Sequence, residues 1–432
     1  MAEQNLIIID YEDLKSDPFK SSERLSPLLS KAFGSDPNSN SLGIIAIRNI
    51  PSFVETKHSF LPLAHKLAHL PTAYLEEKLT DAPSMYNAGW SHGKEKLGDK
   101  PDLNKASFYF NPITDIPGTQ QDRDLYPASY PVNKWPDREV LPDLEDVGKQ
   151  MGCLMKHVVA LLAKHVDVYV QSKCSAYKPI MGDEMDKTEK VKGRLLYYFP
   201  LALDENSEDG AGVGQDSWIG WHNDSGFFTA LTGDLFVDHD SGETVPRDEV
   251  DPNAGLIVMD RNGNSIKVEV PEDCMAVQIG ECLQIITGGN VVATPHCVRG
   301  VDPKWNEGKG RKVARISFPC FVDTVPSFPL KLPDGSTRDG VFKSSIEGCA
   351  KVPPLSERYV AALDFFVGFD FFDPVYLPVS WKHSNYVPCS MFNVQCTVDG
   401  KEMEWNLVRS YKKHLQDIMS GLRRAKLLVT KL

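Results

Sequence analysis

Short runs of β-branched and aromatic residues, set apart by turn residues, dominate the middle of the chain. From residue 193 they follow one another as RLLYYF, FFTALT, GLIVMD, SIKVEV, MAVQI, LQIIT, VVATP and RKVARISFPCFV. Turn signals stand between them at Asp260-Arg261-Asn262-Gly263, Pro271-Glu272-Asp273 and Gly288-Gly289-Asn290. Many short strands at close spacing predict an all-β sandwich, barrel or jelly roll. Two earlier runs, residues 5–10 (NLIIID) and 43–48 (GIIAIR), predict strands, with a helix over 20–33 and a loop over 35–42 between them.

Helical periodicity is clearest over residues 143–170, where Val147, Met151, Leu154, Val158, Leu161 and Leu162 recur at spacings of three and four. Weaker helical spacing runs over 57–81. Residues 83–138 are rich in Pro, Asn, Asp and Gly and predict a wrapping segment with brief regular pieces. Residues 171–192 predict a polar loop, and 324–356 an irregular Pro-rich stretch. Residues 403–428 predict an amphipathic packing helix whose basic end (Arg423, Arg424, Lys426) suits a helix C-terminus. The expected organisation is an N-terminal α/β scaffold over 1–140, a long helix and connecting loop over 141–192, a β core over 193–323, and a C-terminal irregular and helical extension over 324–432.

Composition narrows the function classes. A 432-residue chain that is 41% hydrophobic and 25% charged is neither disordered nor fibrous. Its formal net charge of −12 repels phosphate backbones and argues against a nucleic-acid partner. No apolar run is long enough to predict a membrane span, and the start, MAEQNLIIIDYEDL, does not read as a signal peptide. The 9 Cys include no CxxC pair, so reduced thiols in a cytoplasmic protein are the expectation. The ending Thr430-Lys431-Leu432 weakly resembles a peroxisomal address.

The candidate chemistry lies in the β region. His222 and Asp224 stand at i and i+2, which on a strand places both on one face. His296 follows 72 residues beyond Asp224. Two imidazoles and one carboxylate form a facial set that suits Fe(II) and leaves positions open for a bidentate substrate and dioxygen. A second pair, His165 and Asp167, falls in the strongest helical pattern, where i and i+2 do not face each other; it is expected to be structural. The Asp238-His239-Asp240 cluster lies in an acidic, loop-like insertion over 232–254 and is expected to be solvated. Arg315 and Ser317 share one face of a later strand, and a guanidinium beside a hydroxyl suits a dicarboxylate's distal carboxylate. A surface ion pair is the plainer account of that arginine.

Six ordered motifs over about residues 193–323 resemble the 2-oxoglutarate- and Fe(II)-dependent dioxygenase superfamily, in particular the branch of plant-type flavonoid and hormone dioxygenases and isopenicillin N synthase. They are the stretch Arg194 to Pro200, Trp221-His222-Asn223-Asp224-Ser225-Gly226, Gly255-Leu256-Ile257-Val258 with Arg261-Asn262-Gly263, Gly280 to Gly289, Thr294-Pro295-His296, and Arg315-Ile316-Ser317. The resemblance implies a mainly β fold with flanking helices around a double-stranded β-helix (jelly-roll) core. It implies His222, Asp224 and His296 as iron ligands, with Arg315, Ser317 and Tyr198 contacting 2-oxoglutarate. It also implies oxidation of a small organic molecule by dioxygen, with release of succinate and carbon dioxide. That cycle requires no acid–base or nucleophilic side chain, so no separate catalytic residue is expected.

The chain departs from the family pattern in places. Leu196 stands where the family usually has Asn. Arg315 lies 19 residues past His296, longer than the usual spacing, so GVDPKWNEGKG must loop out. Tyr86, Trp90, Tyr109 and Phe110 are candidate pocket walls or, equally, packing residues. Cys297, beside His296, is expected to be a small buried thiol. Two other readings stay open: a non-catalytic binding protein that keeps the fold, and an oxidase of the same fold that does not use 2-oxoglutarate. Substrate identity, reaction outcome and oligomeric state are not encoded in these motifs.

Overall fold

The computed structural model describes residues 6–36, 38, 40–94, 96–97, 100–201, 217–306, 310–326, 328–337 and 341, and the backbone of 393–398 and 401–406. In chain order the strands are β1 (Ile7–Asp10), β2 (Ile44–Arg48), β3 (Gly89–His92), β4 (Lys96–Leu97), β5 (Lys100–Pro101), β6 (Lys105–Phe110), β7 (Val191–Tyr198), β8 (Ile219–His222), β9 (Phe228–Asp238), β10 (Gly255–Met259), β11 (Ser265–Lys267), β12 (Met275–Ile279), β13 (His296–Arg299) and β14 (Val313–Val322). An eight-stranded sheet runs β1-β2-β12-β9-β14-β7-β6-β3, and a four-stranded sheet runs β11-β10-β13-β8. Apart from the parallel β1–β2 pair, both sheets are antiparallel and join strands distant in sequence, the architecture of a jelly roll.

Alternation along the large sheet separates two environments. Phe108 and Phe110 of β6, Leu195 and Tyr197 of β7, and Ile316 and Phe318 of β14 belong to the main core. The helix Leu144–Lys173 packs on that face and buries Met151, Met155, Val158, Leu162 and Val166 at spacings of three and four. Phe110 stacks on Phe318 with ring centroids 5.5 Å apart, and Phe60 meets Phe318 edge-on at 4.8 Å. The opposite face carries Ser107, Leu196, Tyr198, Arg315 and Ser317 toward the inside of the jelly roll.

Several sequence expectations are corrected. The segment 57–81 is not one helix: it divides into Phe53–Phe60, Leu63–Ala68 and a piece over 72–79, because Pro62 and Pro71 interrupt the hydrogen-bond ladder. The polar stretch 171–192 contains the helix Met181–Lys187. The turn-rich segment 83–138 contributes β6, every residue of which is buried. LQIIT is not a strand but part of the helix Glu281–Ile286, with Gly280 before it. The acidic insertion does not loop from 232, since β9 continues to Asp238. His239 is not simply solvated: its Nδ1 lies 2.8 Å from the Tyr197 hydroxyl and its ring 4.9 Å from that of His69. Residues 401–406, which overlap the expected C-terminal helix, form a strand paired with Asn393–Val398. The rest of that helix and the Thr430-Lys431-Leu432 ending lie outside the described residues. Among the described residues, no helix is long and apolar enough to cross a membrane.

Candidate metal centre

The four-stranded sheet places the first two histidines side by side. β8 and β13 run antiparallel with His222 directly opposite His296, and the ring centroids are 4.1 Å apart. Asp224 lies just past the end of β8, and its Oδ1 is 3.9 Å from His296 Nε2. One ligand atom from each of His222, Asp224 and His296 lies within 4.8 Å of the others. The i, i+2 spacing and the cross-strand pairing thus converge on one point.

Hydrogen bonds set which nitrogens face that point. His222 Nδ1 lies 2.8 Å from the Gly220 carbonyl, and His296 Nδ1 lies 3.1 Å from the Thr294 carbonyl. A carbonyl only accepts, so each Nδ1 carries a proton and each Nε2 is the nitrogen left to face that point. Burial, and after it the neighbouring His296, push the His222 pKa down and keep its imidazole neutral. Asp224 Oδ2 is buried with no hydrogen-bond partner. An orphaned carboxylate oxygen beside two imidazole rings is costly by itself and suits a bound cation.

The loop carrying Asp224 is held from behind. Glu281 donates its backbone N–H to the Asp224 carbonyl at 2.8 Å, and Glu281 Oε1 accepts from Asn223 Nδ2 at 2.8 Å. The Phe227 N–H donates to Asp323 Oδ1 at 2.9 Å. Gly280 fits here because a Cβ would lie 2.0 Å from the Gly226 carbonyl oxygen. The segment before His296 is held by Arg261, which donates to Gly34 O, Thr294 Oγ1, Ser41 Oγ and Val292 O at 2.8–3.3 Å. Burial lowers this guanidinium's pKa to about 9. Arg261 and Glu281 lie in motifs legible in the sequence, but nothing in the spacing assigned them these positioning roles.

Arg315 and Ser317 are 4% and 6% exposed on the inner face of β14. The loop between β13 and β14 contains a short turn of helix, Pro303–Asn306, and Arg315 keeps its strand position despite the long spacing. Arg315 stands opposite Tyr198, with the guanidinium carbon 4.6 Å from the ring centroid. Its Nη2 donates to Asp234 Oδ1 at 2.5 Å, while Nε and Nη1 are buried without partners. That open edge suits a carboxylate. Leu196 stands opposite Ser317, so the departure at that position removes a polar group from this face.

The other candidates separate clearly. His165 is a core residue, with Nε2 3.0 Å from the Leu14 carbonyl, and Asp167 accepts from Tyr177 Oη and the backbone of Met181 and Gly182. Trp90 and Phe110 pack in the main core, whereas Tyr109 lies beneath Arg194 on the inner face, 5.2 Å from its guanidinium carbon. Tyr86 lies beneath Lys94 at 5.6 Å. Cys297 is buried with Trp221 and Ile257.

No family model matches the chain. A 2-oxoglutarate-dependent dioxygenase from Gibberella zeae is 23% identical over 293 residues, covering 66% of this chain and 68% of that protein. Among solved structures, a full-length Neurospora crassa protein in complex with alpha-KG aligns over 78% of this chain and 91% of its own, with a TM-score of 0.54 and 18% identity. A 2OG-Fe(II) oxygenase family protein from Caulobacter crescentus aligns over 76% of this chain and 89% of its own, with a TM-score of 0.52 and 17% identity. The chain is thus similar in sequence to a 2-oxoglutarate-dependent dioxygenase and shares its fold with a 2OG-Fe(II) oxygenase family protein.

Proposed function

We propose that the protein is a 2-oxoglutarate- and Fe(II)-dependent oxygenase that oxidises a small organic molecule with dioxygen, releasing succinate and carbon dioxide. The observation that carries this reading is the convergence of His222, Asp224 and His296, with Asp224 Oδ2 buried and unpartnered. His222 Nε2, His296 Nε2 and an Asp224 carboxylate oxygen would hold the metal. Arg315, through its open Nε and Nη1 edge, with Ser317 beside it, would hold the distal carboxylate of 2-oxoglutarate. The Tyr198 ring holds the guanidinium in plane for that contact. When bound, iron and 2-oxoglutarate supply dioxygen activation and the electron pair of an oxidative decarboxylation. The chain's own residues bind, orient and exclude water; none needs to exchange a proton in that cycle.

The six free cysteines among the described residues fit a reduced, cytoplasmic compartment. The acidic surface charge favours small-molecule substrates over nucleic acid.

The test is anaerobic titration of the purified protein with Fe(II) and 2-oxoglutarate, followed by the weak visible charge-transfer band of the chelate. The band is expected, and its absence with iron bound would favour a second reading. That reading, an oxidase of the same fold that does not use 2-oxoglutarate, has one specific support: Asp234 already occupies an edge of Arg315.

A further inference from the structure

Three histidines meet on the side of the large sheet that Tyr197 faces, opposite to the side of Arg315 and the metal ligands. His65 lies in the helix Leu63–Ala68 and His69 at its end, with ring centroids 4.1 Å apart. His239 directly follows β9 on a turn in which Gly242 donates its N–H to the Asp238 carbonyl at 2.8 Å. Its ring lies 4.9 Å from that of His69. His65 Nε2 donates to the His239 carbonyl at 2.9 Å, and His69 Nδ1 donates to the His65 carbonyl at 2.8 Å. The Tyr197 hydroxyl lies 2.8 Å from His239 Nδ1. Gly242 packs on the His65 ring, where a Cβ would lie 2.7 Å from Nδ1. These contacts also tie together the two strands that flank Arg315. β14 lies between β7 and β9, with Arg315 opposite Tyr198 on one side and Phe236 on the other. Tyr197 precedes Tyr198 on β7, and the His239 N–H donates to the Lys312 carbonyl at 2.7 Å. The contact between Tyr197 and His239 therefore bridges β7 to β9 across β14.

The arrangement suits neutral imidazoles. A carbonyl only accepts, so His65 carries its proton on Nε2, and a second proton falls on Nδ1, against Gly242. Rings this close repel one another once charged. Burial is the first cause that holds His65 and His239 below the ordinary histidine pKa; His69 lowers both further, and His65 and Lys312 also lower His239. The acidic groups facing the cluster offset this only in part. Asp238 faces His65, but its carboxylate already accepts from the N–H groups of Asp240, Ser241 and Lys312. Asp240 faces His239 and lies 3.6 Å from Lys312 Nζ. From β3, His92 stacks on Phe199, whose ring lies 6.0 Å from that of His239. We infer that the cluster is an acid-released clasp: as pH falls through the range in which free histidine titrates, protonation of the stacked imidazoles frees the 239–242 turn from the helix and slackens the hold of β7 and β9 on Arg315. The released state binds these protons more readily, so the clasp is intact above the unfolded histidine pKa and weakens as pH falls through it. The effect on the 2-oxoglutarate contact of Arg315 rests on the oxygenase reading above; the clasp itself does not.

The experiment uses the full-length protein at about pH 7.5, 6.5 and 5.5. Backbone hydrogen exchange, corrected for its intrinsic pH dependence, reads the amides of Gly242 and Val245, which donate to the Asp238 and Phe236 carbonyls. The visible band of the chelate at saturating Fe(II) reads 2-oxoglutarate affinity. Protection of these amides is expected to fall about tenfold between the highest and lowest pH. His65→Gln keeps an amide donor for the His239 carbonyl, and His69→Phe keeps a ring between its neighbours; each removes a titrating group. The two substitutions together are expected to hold the change in protection within about twofold. They should also make the acid-induced loss of 2-oxoglutarate affinity about threefold smaller than in the unmodified protein. Protection at the highest pH reports that the variant is folded, and His69→Phe alone, at an exposed position, carries the same comparison if the pair is not. No acid-induced loss of protection in the unmodified protein, or an equal loss in the folded variant, would overturn the clasp. An equal acid-induced fall of 2-oxoglutarate affinity in both proteins would overturn its link to Arg315. Absence of the band at the highest pH would instead sink the oxygenase reading and leave the exchange result to decide the clasp.

Discussion

Asp234 on β9 takes one edge of the buried Arg315 guanidinium on β14, its Oδ1 lying 2.5 Å from Nη2, and leaves Nε and Nη1 open. A carboxylate beside the proposed cosubstrate anchor both orients the arginine and repels the incoming anion. Asp234→Asn keeps an oxygen that can accept from Nη2 but removes the charge. The expected outcome is about three- to tenfold tighter binding of 2-oxoglutarate, on the order of 1 kcal/mol for a like charge several ångströms away. Titration of the visible band measures it. Weaker binding in Asp234→Asn would mean that the carboxylate chiefly positions the arginine.

The two His-x-Asp pairs should respond oppositely to the same substitution. His222→Ala removes a proposed ligand and should abolish tight Fe(II) binding with little effect on stability. His165→Ala leaves the Leu14 carbonyl unpaired in the core and should cost about 1–3 kcal/mol of stability while iron still binds. Iron titration and chemical denaturation of both variants separate the cases; equal loss of iron in both would refute the triad.

Arg261 touches no proposed ligand side chain, yet it ties Gly34, Ser41, Val292 and Thr294 together just before His296. Arg261→Ala strands several buried acceptors and frees that segment. Stability should fall by about 2–4 kcal/mol, from unmet hydrogen bonds of about 1–3 kcal/mol each that partly relax. Iron affinity should fall as well, because the approach to His296 loses its anchor. Full iron affinity in a destabilised Arg261→Ala protein would show that β13 alone fixes His296.

Asp167 gives a pH dependence with a defined sign. Burial raises its pKa from the ordinary 3.8 to about 6, against the hydrogen bonds from Gly182, Tyr177 and Met181 that favour the carboxylate. An acid whose folded pKa lies above its unfolded value binds its proton more tightly when folded. Its contribution to stability is therefore greatest below the unfolded pKa and declines as pH rises from about 4 through about 6. Asp167→Asn should flatten the stability curve in that window, by on the order of 1–2 kcal/mol relative to the unmodified chain. Denaturation midpoints at about pH 4, 5, 6 and 7 measure this; identical slopes would place the titration elsewhere.

The candidate site was legible because its chemistry uses side chains that are rare on a strand interior and are spaced by strand geometry. Arg315 and Ser317 at i, i+2 announce a shared strand face, whereas β8 ends at His222 and Asp224 reaches the site from the loop just beyond it. The Glu281–Ile286 helix was misread because a short apolar run has no periodicity that separates a buried turn of helix from a buried strand. β6 was hidden inside a segment whose turn-forming neighbours masked six consecutive buried residues.

The sequence by itself determined the candidate ligand types, the jelly-roll class and the long packing helix, because these follow from local periodicity and residue chemistry. Only the tertiary structure decided which partners those residues keep. That His222 stands opposite His296, that Asp234 takes one edge of Arg315, and that Arg194 and Lys192 share the Tyr109 ring all depend on strand register between segments far apart in the chain. Register is a property of the packed sheet, set by which faces are buried together, and no local pattern in one strand specifies it.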